Sequence, residues 1–226
     1  MPSKAYESDV FATSEGELKV TFLGHGSLYF LFKGMNIYTD PFSRVADYST
    51  LPKAHLILLT HEHMDHLDLP AIASIRTPQT EIVLTETCAQ QVNGGHVMHN
   101  GDCLEVKGIS LRAVAAYNLV HKRPDGMPFH PKGSGNGYIL AFGNLQVYVA
   151  GDTENIPEME TVSGIGIAFL PMNLPYTMTP EMVAEAARAL KPKVLYPYHF
   201  GDTPTQRLEE LLKGEPGIEV RIRSLA

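Results

Sequence analysis

Cysteine is nearly absent from this sequence: Cys88 and Cys103 are the only two in 226 residues. Without Cys-x-x-Cys spacing they cannot frame a disulfide scaffold, and both are expected to be buried free thiols packing as small hydrophobes. Long apolar runs are missing too. No stretch approaches the ~20 residues that span a bilayer, so no membrane span is expected. The opening residues lack the apolar core of a signal peptide, which sets the expectation of a cytoplasmic protein. Basic charge is scarce, with 18 Lys and Arg against 25 Asp and Glu and a net charge of −7. That balance speaks against a nucleic-acid partner, since phosphate binding rests on Lys and Arg. Neither a linker nor a low-complexity stretch interrupts the chain, so one domain over residues 1–226 is expected, long enough to bury a sizeable core.

What is present is an alternation of strand and helix signals. Residues 18–23, 27–32 and 35–39 are rich in β-branched and aromatic residues, with a Lys33-Gly34 turn between the last two. Residues 54–60 form a continuous apolar run, as in a strand buried on both faces. Helices are expected over 69–75 and 86–91, a strand over 81–84, and glycine-broken strands over 103–116 and 137–150. In the last third, 165–170 and 193–196 read as strands. Thr179-Pro180-Glu181 opens a helix to residue 190. Thr203 to Gln206 has the spacing of a capping box ahead of Leu208, Leu211 and Leu212. A weak echo links residues 29–40 with 138–152: each reads strand, turn, strand, then aspartate. Two such halves, sheet against sheet with helices outside, give an αββα sandwich of mixed α/β class.

Ten histidines are present, and they cluster. His61-Glu62-His63-Met64-Asp65-His66 follows the buried strand directly. In extended backbone, residues two apart project to the same side, so His61 and His63 can grip one ion. A turn ahead of the next helix would aim Asp65 and His66 at an adjacent position. Imidazole with carboxylate suits zinc or another borderline divalent ion. This His-x-His-x-Asp-His pattern resembles the metal motif of the metallo-β-lactamase superfamily. Thr39-Asp40-Pro41, Gly151-Asp152-Thr153 and His199 extend the likeness over nearly the whole chain. The Gly24-His25-Gly26-Ser27 segment and the length are most similar to the branch holding ascorbate-phosphate lactonases and N-acylphosphatidylethanolamine phospholipases.

The resemblance implies a four-layer αββα sandwich with His61 and His63 on a first metal, Asp65, His66 and His199 on a second, and Asp152 between them. One or two ions are expected, zinc first, with manganese or nickel as alternatives. The family usually supplies a further histidine to the first metal from a strand exit that here reads Val114-Ala115-Ala116-Tyr117-Asn118. Asn118 occupies that ligand position, with His121 or His130 as alternatives, and the first site is expected to be the weaker. A divalent ion lowers the pKa of bound water from 15.7 to about 7. Asp65 is expected to orient that water and move a proton, and Asp40 to fix the tautomer of a ligand imidazole. The loop 118–136 is the expected substrate wall, with His130 and Lys132 as catalytic or anion-binding groups and His25 as a pocket residue.

The leading reading is a metal-dependent hydrolase of an ester, lactone, amide or phosphoester in a small polar molecule. Competing readings are a nuclease-type phosphodiesterase, a di-iron redox protein and a metal-binding protein without catalysis. A homo-oligomer remains open.

Overall fold

The computed structural model describes residues 6–226. Its first sheet has seven strands in sequence order: β1 (Ser8–Thr13), β2 (Gly16–Gly24), β3 (Ser27–Phe32), β4 (Met35–Thr39), β5 (Leu56–Leu58), β6 (Glu81–Leu84) and β7 (His96–Val97). The strands β1 to β4 form an antiparallel meander, and β4 to β7 pair in parallel. The second sheet repeats the plan. Antiparallel β8 (Cys103–Val106), β9 (Ile109–Ala116), β10 (Gly135–Phe142) and β11 (Leu145–Val149) lead into parallel β12 (Ile165–Pro171), β13 (Val194–Tyr198) and β14 (Glu219–Val220). The echo between residues 29–40 and 138–152 thus corresponds to β3–β4 and β10–β11, the equivalent hairpins of two similar halves.

Local chemistry explains these elements. Lys33 and Gly34 both take positive φ, 49° and 77°, the twist that a two-residue hairpin requires. Every residue of β5, β12 and β13 is buried, as parallel strands between two layers must be. Phe22, Phe30, Leu58, Phe142, Phe169 and Tyr196 interdigitate between the sheets.

The helices cover the outer faces. On the first sheet lie α1 (Leu69–Ile75) and α2 (Glu86–Ala89), with Ile72, Ile75 and Cys88 buried. On the second lie α3 (Pro180–Leu190) and α4 (Gln206–Leu211). Four layers result, α-β-β-α. In α3 the Thr179 side chain accepts from Met182 N, Pro180 occupies the first turn, and Lys191 closes the helix in left-handed backbone. Its buried stripe of Val183, Ala184, Ala187 and Leu190 follows the helical repeat.

Two expectations need correction, and one element was not foreseen. The capping box at Thr203 does not form: Thr203 N donates to Phe200 O in a turn, and α4 starts only at Gln206, without a side-chain cap. Cys88 is buried, but Cys103 is exposed, because it opens β8 at the sheet's edge. The strand β1 was not anticipated. Among the described residues, no helix is long and apolar enough to cross a membrane.

Candidate metal centre

The carboxyl ends of β4, β5, β11 and β13 deliver Asp40, His61, Asp152 and His199 to one rim of the sandwich. Two hydrogen bonds tie the sheets beneath that rim: Asn136 N to Thr60 O at 2.9 Å and Tyr138 Oη to Leu59 O at 2.9 Å. The backbone is forced there. Three of the six non-glycine residues with positive φ among the described residues are His25 (53°), Asp40 (43°) and His199 (47°). Such backbone costs about 1–2 kcal/mol per residue, so the surrounding packing must hold it. Space is equally tight. A Cβ on Gly26 would lie 2.9 Å from His66 Cε1.

Two groups of donors face each other across Asp152. In the first, His63 Nδ1 lies 3.1 Å from His61 Nε2 and 3.2 Å from His130 Nε2. Donor atoms of all three imidazoles fall within 4.8 Å of one another. In the second, one donor each from His25, Asp65, His66 and His199 converges within the same span. Asp65 Oδ2 is 2.9 Å from His25 Nε2 and 3.4 Å from His199 Nε2. Asp152 Oδ2 faces His130 Nε2 at 3.3 Å and His61 Nε2 at 3.9 Å, while Oδ1 faces His66 Nε2 at 3.4 Å and His199 Nδ1 at 3.7 Å.

Supporting hydrogen bonds fix which nitrogen of each imidazole is free. His66 Nδ1–H donates to Asp40 Oδ2 at 2.8 Å. The Thr60 hydroxyl donates to the same oxygen at 2.5 Å and accepts from His61 Nδ1 at 3.0 Å. Asp40 therefore holds two imidazoles with Nε2 turned inward, the arrangement that metal-ligating histidines use. His130 is held the same way. Its Nδ1 and its backbone N both donate to Asn118 Oδ1, at 2.7 and 2.8 Å.

Charge follows burial. Burial, reinforced by neighbouring imidazoles, holds His61 well below its usual pKa and lowers His63, leaving neutral nitrogens with lone pairs. Burial also works against a charge on His66, yet Asp152, Asp40 and Asp65 outweigh it and push its pKa up to about 10. Burial raises Asp152, but His199 and His66 prevail and hold it well below the usual carboxylate range. The centre favours positive charge between its carboxylates.

This donor set fits divalent ions. His66 Nε2, His199 Nδ1 and Asp152 Oδ1 are buried without a hydrogen-bond partner among the described residues, and such orphaned atoms are costly unless something binds them. Six imidazoles and two carboxylates suit zinc, manganese or nickel by ligand type.

The structure brings together His61, His63, Asp65, His66, Asp152 and His199, with His130, one of the two alternatives to Asn118, among them; Asn118, Lys132 and His121 lie outside the cluster. Asn118 does not join the donors. Its amide nitrogen donates to Glu154 Oε1 and Tyr176 O, and its oxygen is taken by His130. His130 itself reaches the first group, as the third imidazole there. Lys132 is exposed, paired with Glu158 at 2.6 Å and with Tyr117 Oη, so it is not at the centre. His121 is bound to Glu154 at 2.7 Å.

Sequence reasoning missed Glu154. Its fully shielded carboxylate accepts from Leu119 N, Val120 N, His121 N, His121 Nδ1 and Asn118 Nδ2. No local pattern announces this role, because all five donors lie over thirty residues earlier in the chain.

Comparison with known proteins identifies the fold and family. The profile of the beta-lactamase superfamily domain matches residues 19–199. A UPF0173 metal-dependent hydrolase of Pelotomaculum thermopropionicum is 31% identical over 198 residues, covering 83% of this chain and 86% of that protein. Among solved structures, a proposed metal-dependent hydrolase of Parabacteroides distasonis superposes with a TM-score of 0.94 at 47% identity, covering 98% of this chain and 100% of the other. The metallo hydrolase Igni18 of Ignicoccus hospitalis shares the fold, with a TM-score of 0.76 at 22% identity over 92% of this chain and 96% of its own.

Proposed function

The chain belongs to the metallo-β-lactamase superfamily, and from that premise we propose that it is a metal-dependent hydrolase of esters, lactones, amides or phosphoesters in small molecules. One observation carries this reading: two imidazole-rich groups share Asp152 at the floor of an open cleft of about 960 Å³. The first ion would be held by His61, His63 and His130, the second by Asp65, His66 and His199, with Asp152 contributing to both. Zinc is the metal proposed. When bound, such ions supply Lewis acidity and water of lowered pKa at neutral pH.

The remaining chemistry belongs to the side chains. Asp65 is the one carboxylate of the cluster with substantial access to the cleft, its side chain 39% exposed. Aligned by His25, it is placed to orient the attacking water and accept its proton. Asp40 and Asn118 keep the imidazoles in register, so little reorganisation is needed as charge develops. Packing of Phe129 and Tyr176, rings 5.1 Å apart, walls the cleft against bulk water on one side.

A panel of chromogenic esters, lactones, amides and phosphodiesters tests the proposal. With zinc-reconstituted protein, at least one class is turned over, the activity disappears with a chelator, and added metal restores it. Turnover that survives complete metal removal overturns the mechanism.

A further inference from the structure

Two arginines stand at the mouth of the cleft with no carboxylate paired to them. Arg44 lies over Phe42, 6.0 Å from its centroid, and Arg123 lies over Phe129 at 5.2 Å. Neither forms an ion pair among the described residues, whereas Arg188, Arg207, Arg221 and Arg223 each do; Arg76 and Arg112 are also outside any ion pair, but neither lines the cleft. The acids of the cleft are already engaged. Glu62 accepts from the Thr87 hydroxyl, Asp68 from Ser43 and the first turn of α1, and Asp65 is bonded to His25. Asp68 influences Arg44 only as a more distant charge. In a chain carrying −7, two unneutralised guanidinium groups lining one cleft are out of keeping with the overall balance. Each is held by stacking on an aromatic face; Arg123 also donates from Nη2 to Phe129 O at 3.3 Å, and the remaining guanidinium donors stay available.

The walls between them are apolar. Nine large hydrophobic side chains are exposed among the described residues. Met64, Leu69 and Tyr176 line this cleft. Leu119, Val120 and Met127 sit on the same loop as Arg123, Phe129 and His130. Concentration of exposed apolar surface around one concave site marks a place where something apolar binds.

We infer that the substrates are organic anions with an apolar acyl or aromatic body, the anionic group held by Arg44 and Arg123 and the body lying against Phe129, Tyr176, Met64 and Leu69. This inference rests on the hydrolase reading of the cleft. It differs from the expectation of a small polar substrate and moves anion recognition from Lys132, which Glu158 neutralises, to the two arginines.

Straight-chain alkanesulfonates from four to ten carbons, kept below their micellar concentrations, test it by isothermal titration calorimetry on the zinc-loaded protein. Affinity should rise roughly two- to fourfold per added methylene, the range set by burying a CH₂ group. A sulfonate should bind at least tenfold tighter than the alcohol of equal length. Arg44→Ala and Arg123→Ala should each lose about three- to tenfold, with thermal stability unchanged. Equal binding of sulfonate and alcohol, no dependence on chain length, or no loss in the double variant would overturn the inference. A sedimentation dimer dispersed by decanesulfonate would assign the apolar rim to a second copy of the chain and also overturn it. Sulfonate selectivity without turnover of any ester, lactone, amide or phosphodiester in zinc-loaded protein would instead strike the hydrolase reading.

Discussion

Substituting Glu154 with glutamine removes a buried charge that organises the loop carrying His130. The carboxylate is fully shielded. Oε1 accepts from Asn118 Nδ2, His121 N and His121 Nδ1, and Oε2 from Leu119 N at 2.7 Å and Val120 N at 2.6 Å. Glutamine retains one acceptor oxygen, placed best at Oε1, and turns an NH₂ group toward the two backbone donors at Oε2. Each buried donor left without an acceptor costs about 1–3 kcal/mol. Leu119 and Val120 are themselves exposed, so their N–H groups can reach water when the loop lifts. The cost therefore falls on local opening, about 2–6 kcal/mol for the two donors, and not on the sheets beneath.

Lifting the loop frees Asn118 and with it the orientation of His130. Loss of such outer support typically weakens metal binding by about 10–100-fold. Competition with a fluorescent zinc chelator should show that loss at the ion held by His61, His63 and His130, while the ion at Asp65, His66 and His199 keeps its affinity. Hydrogen exchange at residues 119–121 should accelerate in parallel. Faster exchange with both zinc affinities unchanged would refute the chain of support from Glu154 through Asn118 to His130.

Other perturbations probe separate parts of the structure. Gly26→Ala should push the His66 ring from its place and lower affinity at the second group by about tenfold or more, since the new Cβ would meet His66 Cε1 at 2.9 Å; unaltered zinc affinity counts against the contact. Asp9 accepts from Arg223, Arg221 and Tyr196. Burial raises its pKa, but these partners outweigh it and lower it below 3.8. Its stabilising contribution is thus present above pH ~4 and lost as pH falls through the folded value. Asp9→Asn should cost about 1–2 kcal/mol at pH 7 in a denaturant titration, and less at pH 2–3; equal losses at both pH values contradict the assignment. Burial also pushes the Cys88 thiol up to about 11. A thiol reagent should label Cys103 rapidly in the native protein and Cys88 only on unfolding; two fast thiols would contradict the packing of α2.

The contrast between what the chain announced and what it concealed has a physical basis. His61, His63, Asp65 and His66 are set by six consecutive residues at one strand exit, and alternation along extended backbone suffices to aim them. Asp152 and His199 likewise follow the ends of strands β11 and β13, whose apolar residues are visible. The third imidazole of the first group was legible only as an alternative to Asn118, because His130 stands in a loop whose course depends on Glu154, far away in sequence. Asn118 misled for the same reason: its position at a strand exit was read correctly, but its amide is turned toward His130. The strand β1 has no fully buried residue and exists by pairing with β2, so its pattern carries little signal. Lys132 had suitable chemistry and proximity to His130, yet only the fold reveals Glu158 beside it.

Anomalous diffraction at the zinc edge from crystals of the reconstituted protein tests the central claim most directly. Two peaks are expected, one between His61, His63 and His130 and one between Asp65, His66 and His199, with Asp152 touching both. Fully reconstituted crystals with no anomalous density inside that cluster, or with zinc bound elsewhere on the surface, would contradict it.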